Sequence, residues 1–174
     1  MTQLARKIAQ GWKKLTSSLD SKVNAERALL EALQHDYLEE QQISEVLERE
    51  SDRIPYAHLR QKLLEIAARE KQHAELLAAK IQALNGRVPE RAQARKAERE
   101  SQAHLTTLDL LTMLQEEKEE SIEYLKTAHL AKEAGKAEWS SLLQQIAEEE
   151  RQHRRELIDV LTRLNPLPVE TRKP

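Results

Sequence analysis

The 174-residue sequence predicts an all-α protein: an antiparallel four-helix bundle built from two repeated helix pairs, with a short extra helix at the N-terminus. Three observations carry this. Glycine (3) and proline (5) are scarce, phenylalanine is absent and 33% of residues are charged, a composition that suits long solvent-laced helices better than strands. The 39% of residues that are hydrophobic recur at three- and four-residue steps, which disfavours disorder. Finally, Ile66-Ala67-Ala68-Arg69-Glu70-Lys71-Gln72-His73 returns as Ile146-Ala147-Glu148-Glu149-Glu150-Arg151-Gln152-His153, an 80-residue shift (153 − 73). The register extends beyond the motif: Leu63 matches Leu143, Leu77 matches Leu157, and Asn85 matches Asn165.

Residues 2–15 predict a short amphipathic helix, with Leu4, Ile8, Trp12 and Leu15 on one face and Arg6, Lys7, Lys13 and Lys14 on the other. It reads either as a helix packed on the bundle with a solvated face or as a contact to a membrane surface or partner. Thr16-Ser17-Ser18 is expected to break it, with Ser18 or Ser21 capping the next helix, from about Lys22 to about Arg49. Leu30, Leu33, Tyr37, Glu40, Ile43 and Leu47 share the stripe of that helix expected to be buried.

Asp52-Arg53-Ile54-Pro55 marks a turn, with Pro55 suited to the first turn of the second long helix. Along that helix Leu59, Leu63, Ile66, Glu70, His73, Leu77 and Ile81 line up, and Asn85-Gly86 stops it. Residues 87–101 are polar and either begin the third helix or form a crossover. Leu105, Leu108, Leu111 and Leu114 establish the third helix, which reaches Ala134-Gly135, and Glu117, Glu120, Tyr124 and Ala128 continue its inward line. The fourth helix, about 137–164, carries Trp139, Leu143, Ile146, Glu150, His153, Leu157 and Leu161. Asn165-Pro166-Leu167-Pro168 is expected to end it, leaving residues 166–174 as a polar tail with no fifth helix. The domain division is therefore 1–20, 21–165 and 166–174.

The chemistry lies in the ionisable residues that fall on inward faces. On a helix, residues three apart stand about 5–6 Å apart at Cβ, so the carboxylate and imidazole of Glu-x-x-His can share a metal. Glu70 with His73 and Glu150 with His153 form two such pairs, joined by Glu40 on the first helix and Glu117 and Glu120 on the third. An unpaired carboxylate in an apolar interior costs several kcal/mol. Seven such groups at one level call for positive charge, which two divalent cations supply. Oxygen and imidazole donors suit iron, with manganese possible on the same ligands. With no cysteine in the chain, thiolate zinc sites, iron–sulfur clusters, disulfides and cysteine nucleophiles are excluded. A net charge of −2 gives no reason to expect nucleic acid. No apolar run approaches the roughly 20 residues that span a bilayer, and without an apolar signal core the expected location is cytoplasmic.

This constellation resembles the ferritin-like di-iron superfamily, in which two helices each give a Glu and two each give Glu-x-x-His. Within it the sequence is most similar to the rubrerythrin (erythrin) branch, over about residues 23–165: Glu117 and Glu120 lie three apart, 33 and 30 residues before Glu150. The resemblance implies two iron ions that react with peroxide or dioxygen, in an oxidoreductase of peroxidase or ferroxidase type concerned with oxidative stress or iron. Alternatives are an oxygen-dependent di-iron hydroxylase and a non-catalytic helical module that binds a partner. The branch's cysteine-ligated rubredoxin domain has no counterpart, so turnover would draw on an external electron donor. A large storage shell is not expected, and a homodimer is the expected assembly.

One position departs from the pattern. The repeat pairs Glu120 with Glu40, but it pairs Glu117 with Tyr37, where the resemblance implies a carboxylate. Glu40 is then this helix's ligand, or Tyr37 approaches the metal as a phenol, or the helix is slipped so that Asp36 or Glu39 faces inward. Tyr37 is also readable as an ordinary core tyrosine. Tyr124, seven residues after Glu117, is a candidate to orient a ligand by hydrogen bonding. Tyr37 and Tyr124 are therefore the candidate catalytic residues. His35, His58, His104 and His129 lack the paired spacing and are expected to be solvated or incidental.

Overall fold

The structure is a computed structural model that describes residues 3–90 and 106–164, with side chains from residue 21 in the first helix and from residue 110 in the third. Four helices follow one another: α1 (Gln3–Arg53), α2 (Ala57–Ala83), α3 (Thr106–Glu133) and α4 (Ala137–Leu164). None is long and apolar enough to cross a membrane.

The N-terminal helix expected to stand apart is instead the beginning of α1, which runs unbroken for 51 residues. Ser and Thr cost only about 0.5 kcal/mol each in a helix interior, and no proline occurs before Pro55 to force a break at Thr16-Ser17-Ser18. The amphipathic face predicted for residues 2–15 lies outside the described side chains, as do Leu105 and Leu108. Residues 91–105, from 165 onward, and the predicted tail also fall outside the described residues, whereas 87–90 are not helical.

Helix ends explain how the bundle turns. α1 stops because Pro55 pushes Ile54 out of the helical region, and Ile54 buries its side chain there. Pro55 stands one residue ahead of the N-cap Tyr56, rather than inside the first turn of α2 as expected. α2 ends in a Schellman motif, with Gly86 N donating to Ile81 O at 2.9 Å and Asn85 N to Gln82 O at 2.9 Å. The left-handed residue is Asn85 (φ 56°), not the neighbouring glycine. Gly86 is needed for another reason: a Cβ there would lie 2.3 Å from Leu30 Cδ1 of α1. α3 ends in the same motif with Gly135 at φ 75° and Lys136 N donating to Ala131 O at 2.8 Å.

Two apolar layers hold the helices together. One gathers Leu29 and Leu33 of α1, Leu77 and Ile81 of α2, Ala128 and Ala131 of α3, and Leu143 and Ile146 of α4. The other gathers Ile43 and Leu47, Leu59 and Leu63, Leu110 and Met113, and Leu157 and Val160. From the first layer to the second the chain advances along α1 and α4 but goes back along α2 and α3, so each helix runs antiparallel to both of its neighbours. Leu111, expected on the inward stripe, is 48% exposed. The buried line through Leu110, Met113 and Glu117 steps by three and four, and Leu111 sits a further 100° round the helix. Between the apolar layers every helix turns a charged side chain inward.

Candidate metal centre

That middle layer contains all seven residues expected as ligands, each at most 5% exposed: Glu40, Glu70, His73, Glu117, Glu120, Glu150 and His153. Each is placed by the periodicity of its own helix, continuing the leucine and isoleucine stripe at three- or four-residue steps. Their donor atoms form two groups, each within 4.8 Å: Glu40, Glu70, His73 and Glu150, and Glu70, Glu117, Glu150 and His153. Glu70 and Glu150 belong to both, so the two Glu-x-x-His carboxylates would be common to both members of a cation pair. Glu40 with His73, and Glu117 with His153, stand at the outer ends. Glu120 is buried beside this set but lies outside both groups.

The distances show two like half-sites. His73 Nδ1 lies 2.9 Å from Glu150, 3.3 Å from Glu70 and 3.5 Å from Glu40. His153 Nδ1 lies 2.6 Å from Glu70, 3.0 Å from Glu150 and 3.8 Å from Glu117. The two imidazoles stack with centroids 5.7 Å apart. Despite this crowding, both oxygens of Glu70, Glu117 and Glu120, together with His73 Nδ1, Glu40 Oε2 and Glu150 Oε1, have no hydrogen-bond partner. Only the pair between His153 Nδ1 and Glu150 Oε2 has hydrogen-bond geometry. Buried polar atoms are satisfied in well over nine cases in ten. Donor atoms gathered within 4.8 Å of one another, most of them without a hydrogen bond, are close enough to share a cation. The residues therefore fit a pair of cations, and the all-oxygen and imidazole donor set fits iron or manganese.

Electrostatics points the same way. Burial pushes the carboxyls of Glu40, Glu117 and Glu120 well above the ordinary range, and neighbouring carboxylates push them further. Burial acts on Glu70 in the same direction, but the imidazoles of His153 and His73 outweigh it and hold Glu70 at about 2. For His153 burial opposes charge, yet Glu150 and Glu70 raise it to about 9, and His73 is raised by Glu150, Glu40 and Glu70. Without metal, two imidazolium ions face five carboxyls. Divalent cations can take over that charge and release the protons.

The surrounding shell is less symmetric. Tyr124, buried on α3, donates its hydroxyl to Glu40 Oε1 and so orients that carboxylate, as its spacing suggested. Burial raises its phenol well above the usual range, which keeps the proton in place. Tyr37 is not brought to the cluster: its hydroxyl accepts from Gln41 Nε2 at 2.6 Å and its ring packs against the first apolar layer. The residue that α1 contributes to the two groups is Glu40. Asp36, one turn earlier, is also buried and accepts from Thr127 Oγ1 at 2.9 Å, with burial pushing it up to about 7. Sequence patterns missed Asp36–Thr127, because no spacing within α1 signals a partner on α3.

They also missed Glu149, whose Oε2 lies 2.8 Å from His73 Nε2. A carboxylate at that nitrogen fixes the ring and makes Nδ1 a stronger donor. The 80-residue repeat contains the signal for this asymmetry: position 149 pairs with Arg69, which binds Glu156 at 2.5 Å instead. His153 Nε2 accordingly has no hydrogen-bond partner. His35 and His129 are solvent-exposed and pair with carboxylates on their own helices, His35 with Glu39 and more distantly Asp36, His129 with Glu133. His58 is exposed, and His104 lies outside the described residues.

Comparison with solved structures finds a protein from Xanthomonas campestris pv. campestris with a TM-score of 0.71 and 18% identity, over 81% of this chain and 92% of that one. The likeness shows a shared fold. Comparison with curated proteins finds no match. The rubrerythrin family matches residues 31–161, a stretch that includes all seven cluster residues and both Glu-x-x-His pairs. The chain therefore belongs to the rubrerythrin family.

Proposed function

We propose that the chain is a di-iron carboxylate protein that oxidises ferrous iron with hydrogen peroxide or dioxygen, in iron handling or defence against oxidative stress. The observation that supports this is the sharing of Glu70 and Glu150 between two four-residue groups, an arrangement suited to two neighbouring metal ions. A pair of ferrous ions held there would supply the two electrons that, with two protons, reduce one peroxide to two waters. Glu70 and Glu150 would be shared by the pair, with Glu40 and His73 at one end and Glu117 and His153 at the other. Tyr124 retains its proton and fixes Glu40, and Glu149 fixes the His73 ring. The apolar layers above and below close the centre along the bundle axis, which strengthens each charge interaction between them. With no cysteine in the chain, electrons for repeated turnover come from an external donor.

The test is metal analysis of protein purified with iron, followed by absorption spectra after peroxide or oxygen is added. Two irons per chain and a new charge-transfer absorption are expected. Less than one metal per chain with no spectral response refutes the redox reading.

A further inference from the structure

A cavity of about 500 Å³ opens between α1 and α3, beside the metal centre. Its walls include Glu39 from α1 and Glu116, Glu119, Glu120 and Glu123 from α3. Their three- and four-residue spacing puts the α3 carboxylates on one face. Two basic groups face them: Lys126, held 2.5 Å from Glu123, and His35, 3.2 Å from Glu39. Carboxylates remain in excess. His35, Asp36 and Glu39 also bring one ligand atom each within 4.8 Å of the others.

The inner wall distinguishes this cavity from a solvated acidic surface. Glu120 is only 5% exposed, neither of its oxygens has a hydrogen-bond partner, and it lines the cavity. The repeat explains why it is uncapped. Glu40, its counterpart, accepts the Tyr124 hydroxyl, but the residue equivalent to Tyr124 is Ser44 (124 − 80), which donates to Gln41 O at 3.0 Å. The centre is closed at Glu40 and open at Glu120. A second groove, about 480 Å³ between α1 and α2, has glutamates at its rim as well. Its inner wall is Tyr37, Ser44, Ala74 and Ala78, with no buried carboxylate.

We propose that the α1–α3 cavity captures divalent cations for the dinuclear centre, with Glu39 and Glu123 at its rim and Glu120 passing them inward. This rests on the dinuclear reading above. A cleft walled by one sign of charge concentrates counter-ions and speeds their arrival. Glu39, 40% exposed, and Glu123, 44% exposed, can be changed without disturbing the core.

The experiment mixes Co²⁺ with the metal-free full chain in a stopped-flow spectrometer and follows the cobalt absorption. The double variant Glu39→Gln/Glu123→Gln is expected to load about tenfold more slowly at low salt, reach the same two-cobalt end spectrum, and approach the wild-type rate as salt rises. Glu48→Gln/Glu75→Gln, which removes the same charge from the other groove, is expected to load at the wild-type rate. Equal rates for the rim variant and wild type, or equal slowing in both variants, overturn the capture site while leaving the centre standing. A wild type that takes up no cobalt pair overturns the dinuclear reading, and the capture site with it.

Discussion

Replacing Glu117 with glutamine should make the metal-free protein more stable while weakening its hold on metal. The carboxyl of Glu117 is fully buried, and burial followed by the Glu70 and Glu150 carboxylates pushes it well above its ordinary 4.5. The sign follows from linkage: the folded state binds a proton that the unfolded state has released, so stability falls as pH rises above 4.5. Each pH unit over which this holds is worth about 1.4 kcal/mol. Between 4.5 and 7 the folded metal-free protein therefore loses up to about 3 kcal/mol through this one residue. Glutamine needs no proton, but it buries an amide without a sure partner, which costs about 1 kcal/mol. The net gain is then at most about 2 kcal/mol, and at most about 4–8 °C in Tm for a chain of this size. Thermal unfolding of chelator-treated wild type and Glu117→Gln at pH 5, 7 and 8 measures it. The gap should widen with pH in the metal-free proteins and reverse in sign once metal is added. A metal-free variant that melts below wild type at pH 7, or a gap independent of pH, refutes the reasoning.

Glu149→Gln should weaken one of the two metals by about 10- to 100-fold and leave the other, because only His73 has a carboxylate on Nε2; competition with a chelator should resolve the two constants. His153 is raised to about 9 and His73 in the same direction, so both are protonated in the metal-free protein at pH 7. The stability contributed by His153 is full below about 6.5 and is lost as pH rises through about 9, whereas metal affinity rises over that window. Calorimetry in two buffers of different ionisation enthalpy should show release of at least about two protons per metal pair at pH 7, from the imidazoles and from any carboxyl still protonated, and none would contradict the assignment. Gly135→Ala should destabilise the fold by about 1 kcal/mol, because φ is 75° although space is open around the new methyl. Chemical denaturation would detect this as a lower midpoint with an unchanged slope.

Local periodicity was enough to determine the helical class, the four long helices and the inward placement of the seven cluster residues. A carboxylate or imidazole at a buried step of a three–four pattern has to lie in the bundle interior, and an 80-residue repeat places two such sets opposite each other. The same reasoning overestimated Thr16-Ser17-Ser18, because a weak local propensity yields to continued helix formation. Which residues meet across helices was not in any one stretch. Tyr37 and Glu40 are three apart on α1, yet packing turns one towards Gln41 and brings the other to Tyr124 on α3. Glu149 and His73 are 76 residues apart, and their contact depends on how α2 lies against α4. The repeat already departs from symmetry at Tyr37 against Glu117, at Ser44 against Tyr124 and at Arg69 against Glu149. Only the tertiary structure decides what those departures do, because each acts through a contact with another helix that the repeat does not specify.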